Sequence, residues 1–169
     1  MSGDRTGLPD HRAVVVPEWI DYNGHMSEAF YVLVFGHATD ALMPEVGLDE
    51  AYRGRSGCSL YTAEAHVRYL REVPEGAGLT VRTRVLGVDA KKCRLVHEMY
   101  AAGPAGRGGA SGGSAGGSAV ATTELLMIHV DQGAGRAAPF PEPVRECLAS
   151  LVEAAPEWAG RSIGPVPRG

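Results

Sequence analysis

Ser27-Glu28-Ala29-Phe30-Tyr31-Val32-Leu33-Val34-Phe35-Gly36-His37-Ala38-Thr39-Asp40-Ala41-Leu42-Met43 governs the architecture of this chain. The stretch is long enough for four to five helical turns, and Pro44 follows it as a stop signal. Six apolar residues stand in a row within it: Phe30, Tyr31, Val32, Leu33, Val34 and Phe35. At about 100° per residue they point all around the helix, so other structure must surround it. Gly36, His37, Thr39 and Asp40 interrupt the run, which is also too short for the ~20 apolar residues of a membrane span.

Working outward, the surrounding material reads as strands. Ala13-Val14-Val15-Val16 is a β-branched run ended by Pro17. Residues 59–73 alternate, with Tyr61, Ala63, Ala65, Val67 and Tyr69 on one face and Leu60, Thr62, Glu64, His66, Arg68 and Leu70 on the other. After a turn at 74–78, residues 79–89 alternate again, followed by strands at about 93–101 and 119–130, the last with Val120, Leu126, Ile128 and Val130 on one face. Strand, helix and then a run of strands with short turns predict an α+β domain. Its mainly antiparallel sheet wraps a central hydrophobic helix. Val144, Cys147, Leu148, Leu151, Val152 and Ala155 recur at helical spacing behind Pro141 and Pro143, and predict a short amphipathic helix that packs on the sheet or on a neighbouring subunit. The domain is expected over 13–155, between tails at 1–12 and 156–169, with a flexible Gly/Ser/Ala loop at 103–118. That loop lacks the G-x-x-x-x-G-K-[ST] order of a phosphate cradle.

Bulk composition excludes several classes. The chain has 169 residues, 44% hydrophobic and 21% charged, which suits one globular domain. A formal net charge of -4 gives no reason to expect a nucleic-acid partner. Cys58, Cys93 and Cys147 are widely spaced and without C-x-x-C, so reduced thiols and a cytoplasmic location are expected. No targeting or membrane segment is read. The histidines lack H-x-H or H-E-x-x-H spacing, no metal site is expected, and His66, His97 and His129 are assigned packing or hydrogen-bonding roles.

Chemistry concentrates just before the helix, in Asp21-Tyr22-Asn23-Gly24-His25. Read blandly, this is turn and cap chemistry. However, a helix start carries unpaired N–H groups and a positive dipole end, both suited to an oxyanion. A carboxylate and an imidazole placed there make a hydrolytic centre.

The D-x-N-x-H pattern followed by an apolar helix resembles the motif of hotdog thioesterases, including the 4-hydroxybenzoyl-CoA thioesterase-like group. Longer stretches are more particular: Val16-Pro17-Glu18-Trp19-Ile20 running into Asp21, Tyr61-Thr62-Ala63-Glu64-Ala65-His66, Tyr69-Leu70-Arg71-Glu72-Val73, Ala121-Thr122-Thr123-Glu124 and Ile128-His129-Val130-Asp131. Together they resemble the betainyl-CoA thioesterase type associated with carnitine breakdown. The resemblance implies a hotdog fold and hydrolysis of an acyl-CoA, with CoA entering as part of the substrate and no cofactor. It implies Asp21 as nucleophile or water-activating base, Asn23 as its positioning group and His25 as assistant, with Glu64 as a further acid. Backbone N–H groups of Gly24, His25 and Met26 are the expected oxyanion donors. Trp19, Tyr22 and Tyr61 are expected at the substrate, where aromatic rings would suit a quaternary ammonium. A homodimer or homotetramer is expected, because one sheet around one helix leaves an edge uncovered. The alternative is a non-catalytic hotdog protein that binds acyl-CoA or acyl carrier; the intact Asp21/Asn23/His25 set favours the enzyme.

Overall fold

The apolar stretch forms helix α1 (Glu28–Glu45), with Ser27 in extended conformation at its start. The structure, a computed structural model, describes residues 7–103 and 117–167. The bulk of the expected Gly/Ser/Ala loop, 104–116, therefore lies outside the described residues. Pro44 sits inside the last turn of α1 instead of beyond it, and Val46 closes the helix with its N–H on the Met43 and Pro44 carbonyls. Proline forfeits only its own N–H bond there, so the helix survives it by one residue.

Around α1 runs one antiparallel sheet: β1 (His11–Val14), β2 (Cys58–Tyr69), β3 (Gly78–Val88), β4 (Lys92–Ala102), β5 (Ala121–Asp131) and the short β6 (Arg136–Ala137). Its order is β1-β3-β4-β5-β2, with β6 on the flank of β5. β1 lies two residues nearer the N-terminus than the β-branched run predicts, because His11 and Arg12 find ladder partners in Val81 and Thr80. Pro17, with no N–H to offer a ladder, instead opens a 3₁₀ turn (Pro17–Trp19).

The inner face is apolar and closes on α1. Leu79, Val81 and Val85 of β3, Leu95 and Met99 of β4, and Leu125 and Met127 of β5 are all buried. On β5 this is the face opposite to Leu126, Ile128 and Val130, which point outward and are half-buried. The core divides into two clusters. One gathers around Tyr31, Val34, Phe35 and Ala38; the other gathers around Leu42, Met43, Val46 and Leu48. The second is completed by α3 (Glu142–Ser150), whose Val144 and Leu148 pack against Leu42 and Val85, so the C-terminal helix docks on its own chain's core.

At the junction of the clusters sits His97, fully buried and stacked on Phe35 with ring centroids 5.9 Å apart. Its Nε2 lies 2.9 Å from the Thr39 hydroxyl on α1 and its Nδ1 lies 2.9 Å from the Thr83 hydroxyl on β3. Burial pushes its pKa down to about 4, with His11 adding to the shift. A second buried histidine, His129, accepts from the Tyr52 hydroxyl (2.8 Å) at Nε2 and donates from Nδ1 to the Ala138 carbonyl (2.9 Å). Tyr52 belongs to α2 (Glu50–Ser56), a helix the apolar periodicity does not announce. Its signals are terminal only: the Asp49 carboxylate accepts from the Tyr52 N–H, and Gly57 adopts φ +65° just beyond the last residue.

A bulge in β2 changes which residues face α1. Thr62 pairs with Met127 but Glu64 pairs with Leu126, so Ala63 is an extra residue. Before it, Leu60 and Thr62 point inward; after it, Ala65 and Val67 do, and all four line one cleft against α1. Strict alternation along 59–73 therefore fails at one position.

The outer face is covered in part by the chain's end. Arg84 pairs with Glu98 at 3.2 Å and Arg94 pairs with Glu124. The Trp158 indole N–H then donates to Glu98 (3.4 Å) and the Gly160 N–H to Glu124 (2.6 Å). Part of the stretch expected as a tail is thus fastened to the sheet.

Candidate active site

Asp21 and Gly24 are the first and last residues of a tight turn, the positions where Asp and Gly are favoured. The Gly24 N–H donates to the Asp21 carbonyl (2.9 Å), and the Asn23 N–H donates to the Asp21 carboxylate oxygen Oδ1 (2.8 Å). Gly24 sits at φ +81°, a left-handed conformation that costs a side-chain-bearing residue about 1–2 kcal/mol. The ends are clamped: Asp21 N–H donates to His25 C=O (3.1 Å), and Ser27 N–H to Trp19 C=O (2.9 Å). Met26 is buried beneath, its N–H on the Val73 carbonyl at 2.9 Å. The turn is thereby fixed to the first residues of α1 and to the segment after β2.

This geometry uses up two of the three expected oxyanion donors. Gly24 and Met26 spend their N–H groups on backbone carbonyls, whereas the His25 N–H has no acceptor among the described residues. The His25 N–H, beside the positive end of α1, is the donor left for an incoming oxygen. Asp21 is half-buried; its Oδ1 holds the turn, and its Oδ2 has no protein partner among the described residues. The His25 imidazole Nε2 lies 3.4 Å from the carboxylate of Glu72. Glu72 is a neighbour that the sequence quotes inside Tyr69-Leu70-Arg71-Glu72-Val73 without giving it a role.

Other expected site residues lie elsewhere. Because of the bulge at Ala63, Glu64 and Tyr61 project from the sheet face opposite α1, alongside Leu126 and Ile128. Glu64 makes no ion pair with Arg68 or Arg82 among the described residues; Arg82 is held by Glu153. The Tyr61 hydroxyl accepts from Gln132 (2.8 Å). Within one protomer, Glu64 and Tyr61 are not brought to the Asp21 turn. Trp19 stacks on Phe30, with centroids 5.5 Å apart and planes at 12°, and serves the packing at the start of α1. Tyr22 is 98% exposed at the tip of the turn.

Beside the turn opens a cleft of about 390 Å³, lined by residues that include Met26, Glu28, Tyr31, Tyr69 and Glu72. Tyr31 and Tyr69 meet edge to face at 5.3 Å. The Tyr31 hydroxyl donates to the Arg71 carbonyl (3.2 Å), and burial, then Glu72 and Tyr69, raise its pKa. Burial and Glu28 raise that of Tyr69. No cysteine is among the described residues that line this cleft, and burial, with Asp89 adding to it, pushes the Cys93 thiol up to about 12, so it stays protonated. No group of three or more His, Cys, Asp or Glu side chains gathers in a metal-holding arrangement among the described residues.

Comparison with known proteins places this turn in context. A model of the thioesterase-like superfamily matches residues 15–148. The chain is 42% identical over 165 residues to a betainyl-CoA thioesterase of Pseudomonas aeruginosa, covering 95% of this chain and 96% of that one. It is similar to a Staphylococcus aureus protein solved in complex with CoA, with 26% identity, 94% of each chain covered and a TM-score of 0.79. It is also similar to a Pseudomonas putida structure provisionally assigned as a thioesterase, with 35% identity, 95% of this chain and 100% of that one covered, and a TM-score of 0.73. The curved antiparallel sheet around α1 is the hotdog fold, and this chain belongs to the thioesterase-like superfamily.

Proposed function

We propose that this acyl-CoA thioesterase cleaves betainyl-CoA, releasing betaine and CoA, with Asp21 as the group that acts at the thioester carbon. The observation that carries the mechanism is the turn itself. Among the described residues, the Asp21 carboxylate keeps one oxygen, Oδ2, without a partner and the His25 N–H has no acceptor, both within the turn that leads into α1. Water adds to the carbonyl carbon, the oxygen takes up negative charge against the His25 N–H, and the C–S bond breaks as the thiolate collects a proton. Asp21 either takes the proton from that water or first attacks the carbon itself, expelling the thiolate and leaving a mixed anhydride that water then hydrolyses to release the acid and restore the carboxylate; both routes use the same oxygen, Oδ2. Asn23 fixes Asp21 Oδ1 through its N–H, and the His25 imidazole, tied to Glu72, is the proton carrier nearest to hand. CoA enters as part of the substrate, and the reading calls for no cofactor. Identity to the betainyl-CoA enzyme across nearly the whole of both chains supports the acyl group. No helix among the described residues is long and apolar enough to cross a membrane, and three free cysteines suit the reducing cytoplasm.

A thiol-release assay over betainyl-CoA, acetyl-CoA, butyryl-CoA and a long-chain acyl-CoA tests the substrate. Betainyl-CoA is expected to lead in kcat/KM by about 10-fold or more. Equal turnover of all four, or release of CoA from the others but not from betainyl-CoA, overturns the choice.

The working unit of this reading is a homodimer joined through β2. Support comes from the strand's position at the sheet edge, with residues 61–65 exposed, and from the half-exposed Val32 and Leu33 on the uncovered side of α1. A 12-residue edge with apolar side chains beside it is a surface that proteins cover. Light scattering is expected to give twice the 17.8 kDa chain mass. Ala65→Pro, which places a ring on that edge, is expected to yield monomer and to lower activity at least about 10-fold. A monomeric wild-type protein with full activity sinks the dimer.

A further inference from the structure

We infer that the cleft between the start of α1 and the end of β2 is the seat of the substrate's cationic head, with Tyr69, Glu28 and Glu72 as the residues that select it. The inference rests on the betainyl-CoA reading and names the part of the protein that makes the choice.

Covalent geometry sets the search radius. In a betainyl thioester one methylene separates the quaternary nitrogen from the reacting carbonyl carbon, so the two atoms lie only about 2.5 Å apart, as N and C do across a Cα. The cation site must therefore adjoin the Asp21–His25 turn. Of the aromatic residues expected from sequence, Tyr61 faces the other side of the sheet, Trp19 is stacked on Phe30, and Tyr22 stands in solvent. None of them builds a cage beside the turn within the protomer.

The cleft does adjoin it. Met26, the residue after His25, forms part of its wall, and Glu72, on its rim, is 3.4 Å from the His25 imidazole. Its volume of about 390 Å³ falls in the ordinary range for small-molecule sites. Its chemistry is that of a site for a soft cation. Tyr69 is nearly half exposed and set edge to face on buried Tyr31, which fixes the orientation of its ring. The Tyr69 hydroxyl reaches the Glu28 carbonyl (3.4 Å), anchoring the far end of that ring to the first turn of α1. Two carboxylates, Glu28 and Glu72, flank the rings; the Tyr31 hydroxyl feels Glu72 and the Tyr69 hydroxyl feels Glu28. Among the described residues that line the cleft, Arg71 is the one opposing charge, and its guanidinium donates to the Ser118 carbonyl. A trimethylammonium group cannot donate a hydrogen bond, so an aromatic face and nearby carboxylates are the contacts open to it.

The test uses a neutral twin of the substrate. In 3,3-dimethylbutyryl-CoA a carbon replaces the quaternary nitrogen, so shape is kept and charge removed. For the full-length enzyme, the ratio of kcat/KM on betainyl-CoA to that on the neutral twin is expected to exceed about 10. Glu28→Gln and Glu72→Gln are each expected to lower the ratio about 3- to 10-fold. Tyr69→Leu is expected to lower it about 2- to 5-fold, while Tyr69→Phe, which keeps the ring, holds it near wild type. Working with the ratio removes any loss that falls on both substrates, such as a disturbed His25 or a weakened fold. If wild type cleaves the neutral twin and leaves betainyl-CoA intact, the betainyl-CoA reading itself fails. If wild type prefers betainyl-CoA but all three charge- or ring-removing variants keep the wild-type ratio, that reading stands and the assignment of this cleft is overturned.

Discussion

Asp21→Asn is expected to lower kcat on betainyl-CoA by about 10²- to 10⁴-fold, the span over which a positioned acid–base group contributes. The substitution separates chemistry from architecture because the carboxylate has two jobs on two oxygens. Oδ1 accepts the Asn23 N–H and keeps the turn closed; the carboxamide oxygen of asparagine takes that bond equally well. Oδ2, which has no protein partner among the described residues, becomes an NH₂ group with neither basicity nor nucleophilicity. Gly24 and Met26 keep their backbone bonds, so the His25 N–H stays where it is. The thermal midpoint is expected to move by no more than about 2 °C, since an exposed turn loses no buried contact. Rates come from thiol release, and folding from circular dichroism on the same sample. A variant that folds normally and keeps more than a tenth of the wild-type kcat removes Asp21 from the chemistry.

The second large effect concerns stability against pH. His97 bridges Thr39 and Thr83 as a neutral imidazole with a folded-state pKa of about 4, against 6.5 in an unfolded chain. Between those two values the unfolded chain binds a proton that the folded chain refuses. Stability therefore falls as pH drops from about 6.5 towards 4, by about 3 kcal/mol when the window has been crossed. Above pH 6.5 both states are neutral and the contribution is flat. His97→Gln is the comparison, because its amide serves both threonine hydroxyls and does not titrate. Urea midpoints at pH 7.5, 6, 5 and 4 are expected to show wild type losing stability faster than the variant only below about pH 6.5. The other acid-sensitive groups are common to both proteins and cancel in the difference. Parallel curves across the range show that His97 carries no proton-linked stability.

The architecture was legible because its signals are local and strong. An all-round apolar helix demands a wrapping sheet, and four alternating stretches supply one. What escaped the sequence depended on pairing. β1 begins at His11 because Val81 and Thr80 accept it, a fact carried by β3 and not by the β-branched run. The faces of β2 were misassigned past Ala63 because a bulge is fixed by the register with β5, and alternation alone cannot show it. That same slip explains why Glu64 and Tyr61, plausible by spacing, point away from the turn. The turn was readable as a turn, since Asp21, Asn23 and Gly24 satisfy one another within four residues, but its donors were not, because Met26 spends its N–H on distant Val73. Glu72 was not, for it reaches His25 from 47 residues away along the chain.

The bulge at Ala63 also sets how this protein tolerates change. The strand is written in two frames, one ending at Thr62 and one opening at Glu64, and a single residue is the hyphen between them. Removing it would merge the frames without costing the ladder a rung, since Thr62 and Glu64 already pair with the adjacent Met127 and Leu126. Ala65, Val67 and Tyr69 would keep facing the helix, and Glu64, His66 and Arg68 would stay outside. The strand thus holds one spare residue, whereas a one-residue insertion or deletion after Glu64, where there is none to absorb it, would turn over everything from there to Tyr69, the substrate-facing end included.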